Sequence, residues 1–226
     1  MGPNLTHSRS WLDRAKRVLP CNGAQTLSKG PDRNPENYPA YIDRGEGCHV
    51  WDVDGNEYID LMGALGPIVL GYAHPKVTEA IIDQVKKGTL FSLESPLVVE
   101  VAEMLTQLIP GAEGVRFVKT GSAATSAAIR AARTYTNRDM VLVASNSYLG
   151  SDSWFQVTQT GRGEFGVPRN ERDNIRQFEY NDVDDLRLTL EHCQAAGKLV
   201  AAVIIEPARD FQATDGFLRG ARKLCD

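Results

Sequence analysis

Apolar and polar residues alternate in the segment 49–61, on both sides of Asp54 and Gly55. A period of two is typical of a strand with one buried face. Asp-Gly readily takes the positive φ angles of a tight hairpin turn. The segment therefore predicts two antiparallel strands. The preceding residues, 1–40, are polar and interrupted by Pro and Gly, which favours an extended arm with one short helix at about 11–18.

After the hairpin the hydrophobic period lengthens to that of a helix. Apolar residues fall three and four positions apart between 77 and 85, and they predict a helix that begins near Pro75 and ends before Gly88. Ser95 and Pro96 form a suitable cap and first turn for a second helix, which we expect to end near Ile109.

Beyond residue 110, short apolar runs alternate with helical stretches. The runs predict strands at 115–118, 140–144, 175–179 and 199–205, and helices are expected at 123–135, at 182–195 and from about 215. Continuous apolar strands are buried on both faces, and alternation with helices implies parallel pairing. We expect 199–205, the most apolar run, to be the most buried strand.

The fold class is therefore α/β: a mostly parallel sheet with flanking helices, preceded by an N-terminal arm and a β-hairpin. We expect residues 1–74 to form the arm and hairpin segment, part of a small domain, and residues 75–226 to form an incomplete large domain. The last helix reaches Asp226 without a cap and the sheet would be short of strands, so we expect the chain to be truncated at its carboxyl end.

Composition excludes several function classes. The 226 residues carry a net charge of −4 without a clustered basic patch, which argues against nucleic-acid binding. No apolar stretch is long enough to span a bilayer. The cysteines lack the spacing of a metal or disulfide framework, and with the histidines they form no metal pattern, so we expect no metal and reduced thiols in a cytoplasmic protein. They are Cys21, Cys48, Cys193 and Cys225.

Gly121 and Ser122 lie between a predicted strand and a predicted helix. Gly121 lets the backbone turn sharply, and Ser122 can cap the helix and offer a hydroxyl. The first amides of a helix point outward with the positive end of its dipole and bind phosphate well. A plain helix cap without a ligand is the alternative.

Two more candidates follow predicted strands, where ligands of parallel sheets bind. Tyr148 comes directly after the strand 140–144, and its ring could stack on a planar heterocycle; a surface tyrosine covering a loop is the alternative. Glu206 follows the strand 199–205. A carboxylate there is costly unless it is paired, which indicates a site residue or a structural ion pair.

The string Gly-Arg-Gly-Glu-Phe-Gly at 161–166 matches the dinucleotide pattern G-x-G-x-x-G. That fingerprint requires a strand before it and a helix after it. The residues that follow, including Pro168, cannot continue a helix from its first turn. A loop is the better interpretation, and a nucleotide-dependent oxidoreductase is not expected.

In this order and spacing the signals resemble the class III pyridoxal-phosphate-dependent aminotransferases of fold type I, particularly the branch of glutamate-1-semialdehyde 2,1-aminomutase. The matching segments are 51–60, 70–75, 115–117 leading into Gly121 and Ser122, 127–133, 204–207 and 216–218. The resemblance covers nearly the whole chain beyond the arm.

The resemblance implies pyridoxal 5'-phosphate as cofactor, with Gly121 and Ser122 on its phosphate, Tyr148 stacked on its ring and Glu206 supporting the site. It implies an amino donor and a carbonyl acceptor as small-molecule substrates, and a homodimer when full length. It places the Schiff-base lysine beyond Asp226, so the chain alone is expected to be inactive. The alternative is a non-catalytic shortened homologue that acts as a binding or interaction protein.

Three departures from the family pattern bear on function. Ala123 stands where relatives carry an acidic residue, and Leu149 replaces a histidine that follows the aromatic. The aminomutase's substrate-binding arginine has no counterpart in the segment 23–29, and Leu65 stands in place of its tryptophan. We therefore expect an aminomutase-like aminotransferase, not the aminomutase itself.

Overall fold

The structure, a computed structural model, describes residues 2–158, 166–208 and 211–226. It contains two compact units, Met1–Val98 and Val99–Asp226. The sequence places the boundary after His74, and that division remains a prediction. Residues 161–165 of the Gly-Arg-Gly-Glu-Phe-Gly string lie outside the described residues.

The N-terminal segment contains more helix than the one short helix at about 11–18 that the sequence predicts. It contains helix α1 (Thr6–Ala15), the short element α2 (Pro20–Gly23) and 3₁₀ turns at Leu27–Lys29 and Pro31–Arg33. The physical reason lies in the hairpin: the Asp54 carboxylate accepts the amides of His7 at 2.7 Å and Ser8 at 2.8 Å. These free amides of the first turn of α1 are thereby satisfied, and the helix begins earlier than predicted.

The hairpin is confirmed and has a third strand. The strands β1 (Ile42–Glu46), β2 (His49–Asp52) and β3 (Glu57–Ile59) form an antiparallel sheet in the order β1-β2-β3. At the turn, the buried Asp52 carboxylate accepts the amides of Asp54 and Asn56 and the hydroxyl of Tyr58. These bonds fix the connection 53–56, in which Gly55, with φ of +85°, takes the positive φ expected of the Asp-Gly pair and Asp54 does not.

Both helices predicted after the hairpin are present, as α3 (Pro75–Lys87) and α4 (Pro96–Leu108). Gly88, with φ of +105°, ends α3. Neither helix has a buried residue, although both carry many apolar side chains.

The second unit contains the predicted parallel sheet. Its strands are β4 (Met140–Ala144), β5 (Ile175–Phe178) and β6 (Val200–Ile204), in the order β5-β4-β6. The helices are α5 (Gly121–Thr136), α6 (Ser153–Gln156), α7 (Arg169–Asp173), α8 (Val183–Ala195) and α9 (Phe217–Cys225). The α/β fold class is confirmed.

The core forms on both faces of β4, which is buried along its whole length. Successive side chains of a strand point to opposite faces. Met140, Leu142 and Ala144 accordingly pack with residues of α8 and α9. Val141 and Val143 pack with Ile129 of α5 and with other apolar side chains. The sheet is therefore covered by helices on both sides.

Two strand predictions are wrong. Residues 115–118 form no strand within the described part of the chain, and Phe117 and Val118 are 44% and 40% exposed. A strand exists only where its amides and carbonyls pair with a neighbour, and this run has none there. The run 199–205 does form β6, but β6 is half-buried and pairs only with β4 among the described strands. The central β4 is the most buried strand instead.

Candidate functional site

The first turn of α5 presents unpaired backbone donors. Thr120 is the cap, because its Oγ1 accepts the amide of Ala123 at 3.1 Å. Gly121 and Ser122 are therefore the first two helical residues, and the expectation that Ser122 caps the helix is wrong. Their two amides have no hydrogen-bond partner in the described part of the chain. Such amides, at the positive end of the helix dipole, are suited to an anion.

Three hydroxyl side chains of α5 fasten the loop 147–152 to the helix, and we call them the hydroxyl ladder: Ser122, Thr125 and Ser126. Oγ of Ser122 accepts the amide of Ser151 at 2.9 Å. Oγ1 of Thr125 donates to the carbonyl of Leu149 at 2.8 Å.

The third member, Ser126, donates to the carboxylate of Asp152. Positions three and four apart lie on one face of a helix, so the ladder holds the loop along that face.

Gly150 makes the close approach of this loop to α5 possible. Its φ is +117°, and a Cβ built on it would lie 2.6 Å from Oγ and 2.8 Å from Cα of Ser122. No side chain fits at these distances, and L-residues rarely adopt this φ. Glycine thus lets the loop backbone reach the start of α5, where the amides of Gly121 and Ser122 have no partner in the described chain. We call this arrangement the cradle, because backbone amides of this kind bind anions.

Tyr148 and Glu206 are brought together by the fold. The Tyr148 amide donates to Oε2 of Glu206 at 2.7 Å. The Tyr148 side chain is 60% exposed, so its ring is available to a ligand. Glu206 is half-buried at the end of an edge strand and forms no ion pair with a described residue. Its backbone partner provides the compensation that a desolvated carboxylate requires.

A cavity of about 240 Å³ lies at the carboxyl edge of the parallel sheet. Ser145 holds its wall together, because its hydroxyl donates to Oε2 of Glu179 at 3.0 Å and accepts the amide of Tyr180 at 3.1 Å. The Tyr180 hydroxyl donates to the carbonyl of Pro207 at 2.7 Å. Glu206 lines the same cavity, so the loops after β4, β5 and β6 meet there, as expected for parallel strands.

Sequence reasoning identified Gly121, Ser122, Tyr148 and Glu206 but not the residues that hold them in place. Thr125 and Ser126 have a detectable signal, since hydroxyls three and four positions after Ser122 share its helix face. Gly150 and Asp152 have none in one sequence, because only the folded chain shows what lies opposite them.

Comparison with known proteins identifies the family. The family model for class III aminotransferases matches residues 31–226. The chain belongs to this family. It is 36% identical to the glutamate-1-semialdehyde 2,1-aminomutase of Acetivibrio thermocellus over 98% of this chain and 53% of the relative. It is 35% identical to that of Desulforamulus reducens over 100% of this chain and 54% of the relative.

Among solved structures, a transaminase with PLP bound is similar with a TM-score of 0.88 and 30% identity, over 100% of this chain and 54% of that chain. The fold type I architecture expected from the resemblance is confirmed, and pyridoxal 5'-phosphate is the coenzyme of the family. The chain spans about half the length of the curated relatives it matches.

The described residues include no helix that is both long and apolar enough to cross a bilayer. They also include no group of three or more His, Cys, Asp or Glu side chains placed to hold a metal ion.

Proposed function

We propose that this chain is the portion of a class III aminotransferase that holds the phosphate and ring of pyridoxal 5'-phosphate. The whole protein then transfers an amino group from a small amino donor to a carbonyl acceptor, or within one small molecule. The relatives named as aminomutases support transfer within one molecule. The coenzyme supplies an electron sink for the bonds around the reacting nitrogen.

The observation that carries this proposal is the cradle formed by Gly121, Ser122 and Gly150. Two unpaired amides at the start of α5 lie beside a loop whose approach requires a glycine. Phosphate oxygens accept bonds from such amides, and the helix dipole favours their charge. In this role Gly121 and Ser122 bind the phosphate, while the hydroxyl ladder holds the loop against α5.

Tyr148 and Glu206 orient the ring in this proposal. The Tyr148 side chain stacks on the ring, and Glu206 fixes Tyr148 by accepting its amide. Leu149 stands where relatives carry histidine, but it is buried in the core, so its side chain packs inward and leaves Tyr148 as the aromatic of this loop.

The Schiff-base lysine is proposed to lie outside these 226 residues. None of the lysines in the described residues lines the cavity beside Glu206. Lys198 donates its Nζ to the carbonyl of Asp173, and Lys119 precedes the cap of α5. We therefore expect the purified chain to bind coenzyme without catalysing amino transfer. Turnover by the purified chain with pyridoxal phosphate and an amino donor would contradict this.

The test compares pyridoxamine 5'-phosphate with pyridoxamine by isothermal titration calorimetry. Neither has an aldehyde that could react with exposed lysines, and they differ only in the phosphate. We expect the phosphate to tighten binding about tenfold or more, since bonds to a charged group contribute roughly 1.5–3 kcal/mol. Gly150→Ala should remove this advantage, because its Cβ meets Ser122.

Gly114→Ala is the matched control, because nothing lies within 4 Å of a Cβ built there. It should retain the phosphate advantage. Tyr148→Ala should weaken both ligands equally, whereas Tyr148→Phe should bind both normally, because stacking needs only the ring. Equal affinity of the unaltered chain for both ligands would refute the phosphate cradle. A chain that binds neither ligand would favour the non-catalytic homologue.

The homodimer and the cytoplasmic location also belong to this proposal. The apolar side chains that α3 leaves exposed support a partner surface, since contiguous exposed apolar patches mark interaction sites. The location follows from the expected reduced state of the cysteines and is tested by fractionation of cells that express the protein.

A further inference from the structure

A second cavity, of about 320 Å³, lies against α5 and is separate in its lining from the cavity at the sheet edge. Its walls include Arg130 and Arg133 of α5, Trp154 of α6 and Glu171 of α7. None of these side chains has a part in the proposed coenzyme site. Ile129, which is 2% exposed, also lines the cavity.

The two arginines have no acidic partner among the described residues. By contrast, Arg187 pairs with Asp184 and Glu191 on α8. Arg133 uses only Nε, which donates to the carbonyl of Asp139 at 2.9 Å. The guanidinium of Arg130 has no hydrogen bond or ion pair in the described chain.

Each of two nearby carboxylates accepts a hydrogen bond from a serine hydroxyl. Asp152 accepts the hydroxyl of Ser126, and Glu171 accepts that of Ser153. Neither carboxylate forms an ion pair with Arg130 or Arg133. Since the arginines are three positions apart on one helix, their like charges lie close together and repel each other. An anion bound between them would relieve this repulsion.

Trp154 adds an apolar wall. Its ring stacks on the fully buried Phe155 with centroids 4.0 Å apart, and its Nε1 donates to Oγ of Ser126 at 3.2 Å. The guanidinium carbon of Arg133 lies 5.4 Å from the Trp154 ring centroid. The indole is thus held in place beside one of the two cationic groups.

We propose that this cavity binds a small dicarboxylate. Guanidinium groups bind carboxylates through two parallel hydrogen bonds, and two guanidiniums can take both ends of a short diacid. The apolar surfaces of Trp154 and Ile129 then contact the carbon chain of the diacid. Inorganic phosphate has no carbon chain and cannot make these contacts. Ser126 of the hydroxyl ladder also lines this cavity, so the site adjoins the ladder without using Gly121, Ser122 or Gly150.

The test titrates the purified chain with succinate, and separately with inorganic phosphate, by isothermal titration calorimetry. We expect saturable succinate binding that Arg130→Gln weakens about tenfold or more, as expected for loss of a charge-assisted pair. Arg219→Gln, at an exposed position of α9, makes the same change of charge elsewhere and should leave succinate affinity unchanged. Arg133→Gln should act like Arg130→Gln.

Circular dichroism checks that each variant is folded. If Arg133→Gln does not fold, Arg130→Gln alone decides the outcome. The proposal is overturned if succinate binding does not saturate or if Arg130→Gln binds it normally. It is equally overturned if phosphate binds and succinate does not, or if Arg219→Gln weakens binding as much as Arg130→Gln. Loss of succinate binding in Gly150→Ala with retention in Arg130→Gln would place the diacid at the start of α5 and also refute it.

Discussion

Two carboxylates of the first unit are held ionised by the residues around them. At Asp60, the hydrogen bond from the Tyr72 hydroxyl, 2.5 Å long, is the main cause that lowers its pKa, and three backbone amides lower it further against the effect of burial. At Asp52, burial acts to raise the pKa, but the bonds from Asn56, Tyr58 and Asp54 outweigh it and lower the pKa. Each tyrosine is affected in return, and the pKa of Tyr58 is raised to about 12.

Removing one hydroxyl should therefore raise the pKa of its own partner only. In Tyr72→Phe the pKa of Asp60 should rise towards 3.8 while the pKa of Asp52 is unchanged. In Tyr58→Phe the pKa of Asp52 should rise while the pKa of Asp60 is unchanged. A depressed folded-state pKa contributes stability above the ordinary pKa and loses it as pH falls through the folded value. Each variant should therefore lose less stability on acidification than the unaltered chain.

Carbon-13 NMR titration of the side-chain carboxyls measures both values, and each variant is the control for the other. A rise at both aspartates in either variant would show a general loosening of the unit and contradict the local explanation.

Among the elements, α1 depends on a cap from a distant part of the sequence. Leu5, at the cap position, provides no side-chain acceptor. The Asp54 carboxylate accepts the first-turn amides instead, although it is 47 positions from His7 and 46 from Ser8. A carboxylate at this end of a helix also interacts favourably with its dipole. The N-terminal segment is thereby tied to the hairpin.

Asp54→Ala should loosen α1 by about 1 kcal/mol, the usual cost of losing a cap, so that amide exchange in residues 7–15 becomes about fivefold faster. Asp43→Ala, at an exposed position of β1, is the control. Hydrogen exchange followed by mass spectrometry measures both variants. Unchanged exchange in Asp54→Ala would mean that packing alone holds the helix.

Local patterns predicted the elements whose stabilising contacts are close in sequence. The period of α3, the Asp-Gly turn and the apolar run of β4 are all of this kind, and all three are confirmed. The run 115–118 has the apolar pattern of a strand, but pairing depends on a neighbour that its own residues do not specify. The start of α1 is not predictable from its own residues for the same reason, since its cap lies in the hairpin.

The candidate site divides in the same way. Gly121, Ser122, Tyr148 and Glu206 could be named because each follows a recognisable run of residues. The residues that support these four could not be named from the sequence. The contact of Gly150 with Ser122, for example, joins a loop to a helix that lies far from it in the chain. The proposed roles of these four residues in coenzyme binding remain predictions.

At the scale of the whole molecule, much apolar surface is left uncovered. The apolar face of α3, formed by Val77, Ile81, Ile82 and Val85, has no buried side chain, and Ile81 on it is 57% exposed. The strand β6 pairs on one side only among the described strands. Exposed apolar surface of this extent favours association.

We expect the purified chain to self-associate through the apolar face of α3. Ile81→Lys should shift it towards monomer, because a charge would be buried in the contact. Glu79→Lys, on the same helix outside that face, changes charge without removing apolar surface and should have little effect. Light scattering coupled to size-exclusion chromatography measures the mass of each variant. A chain that is monomeric from the start would show that the apolar face of α3 does not drive self-association of these 226 residues.

The hydroxyl ladder has a mechanical consequence. Ser122, Thr125 and Ser126 bond the loop after β4 to α5, and Glu206 holds the same loop to the end of β6 at Tyr148. The loop therefore couples the start of α5 to the carboxyl edge of the sheet. A displacement of either element would change the distance between an anion bound at the helix and a ring stacked on Tyr148.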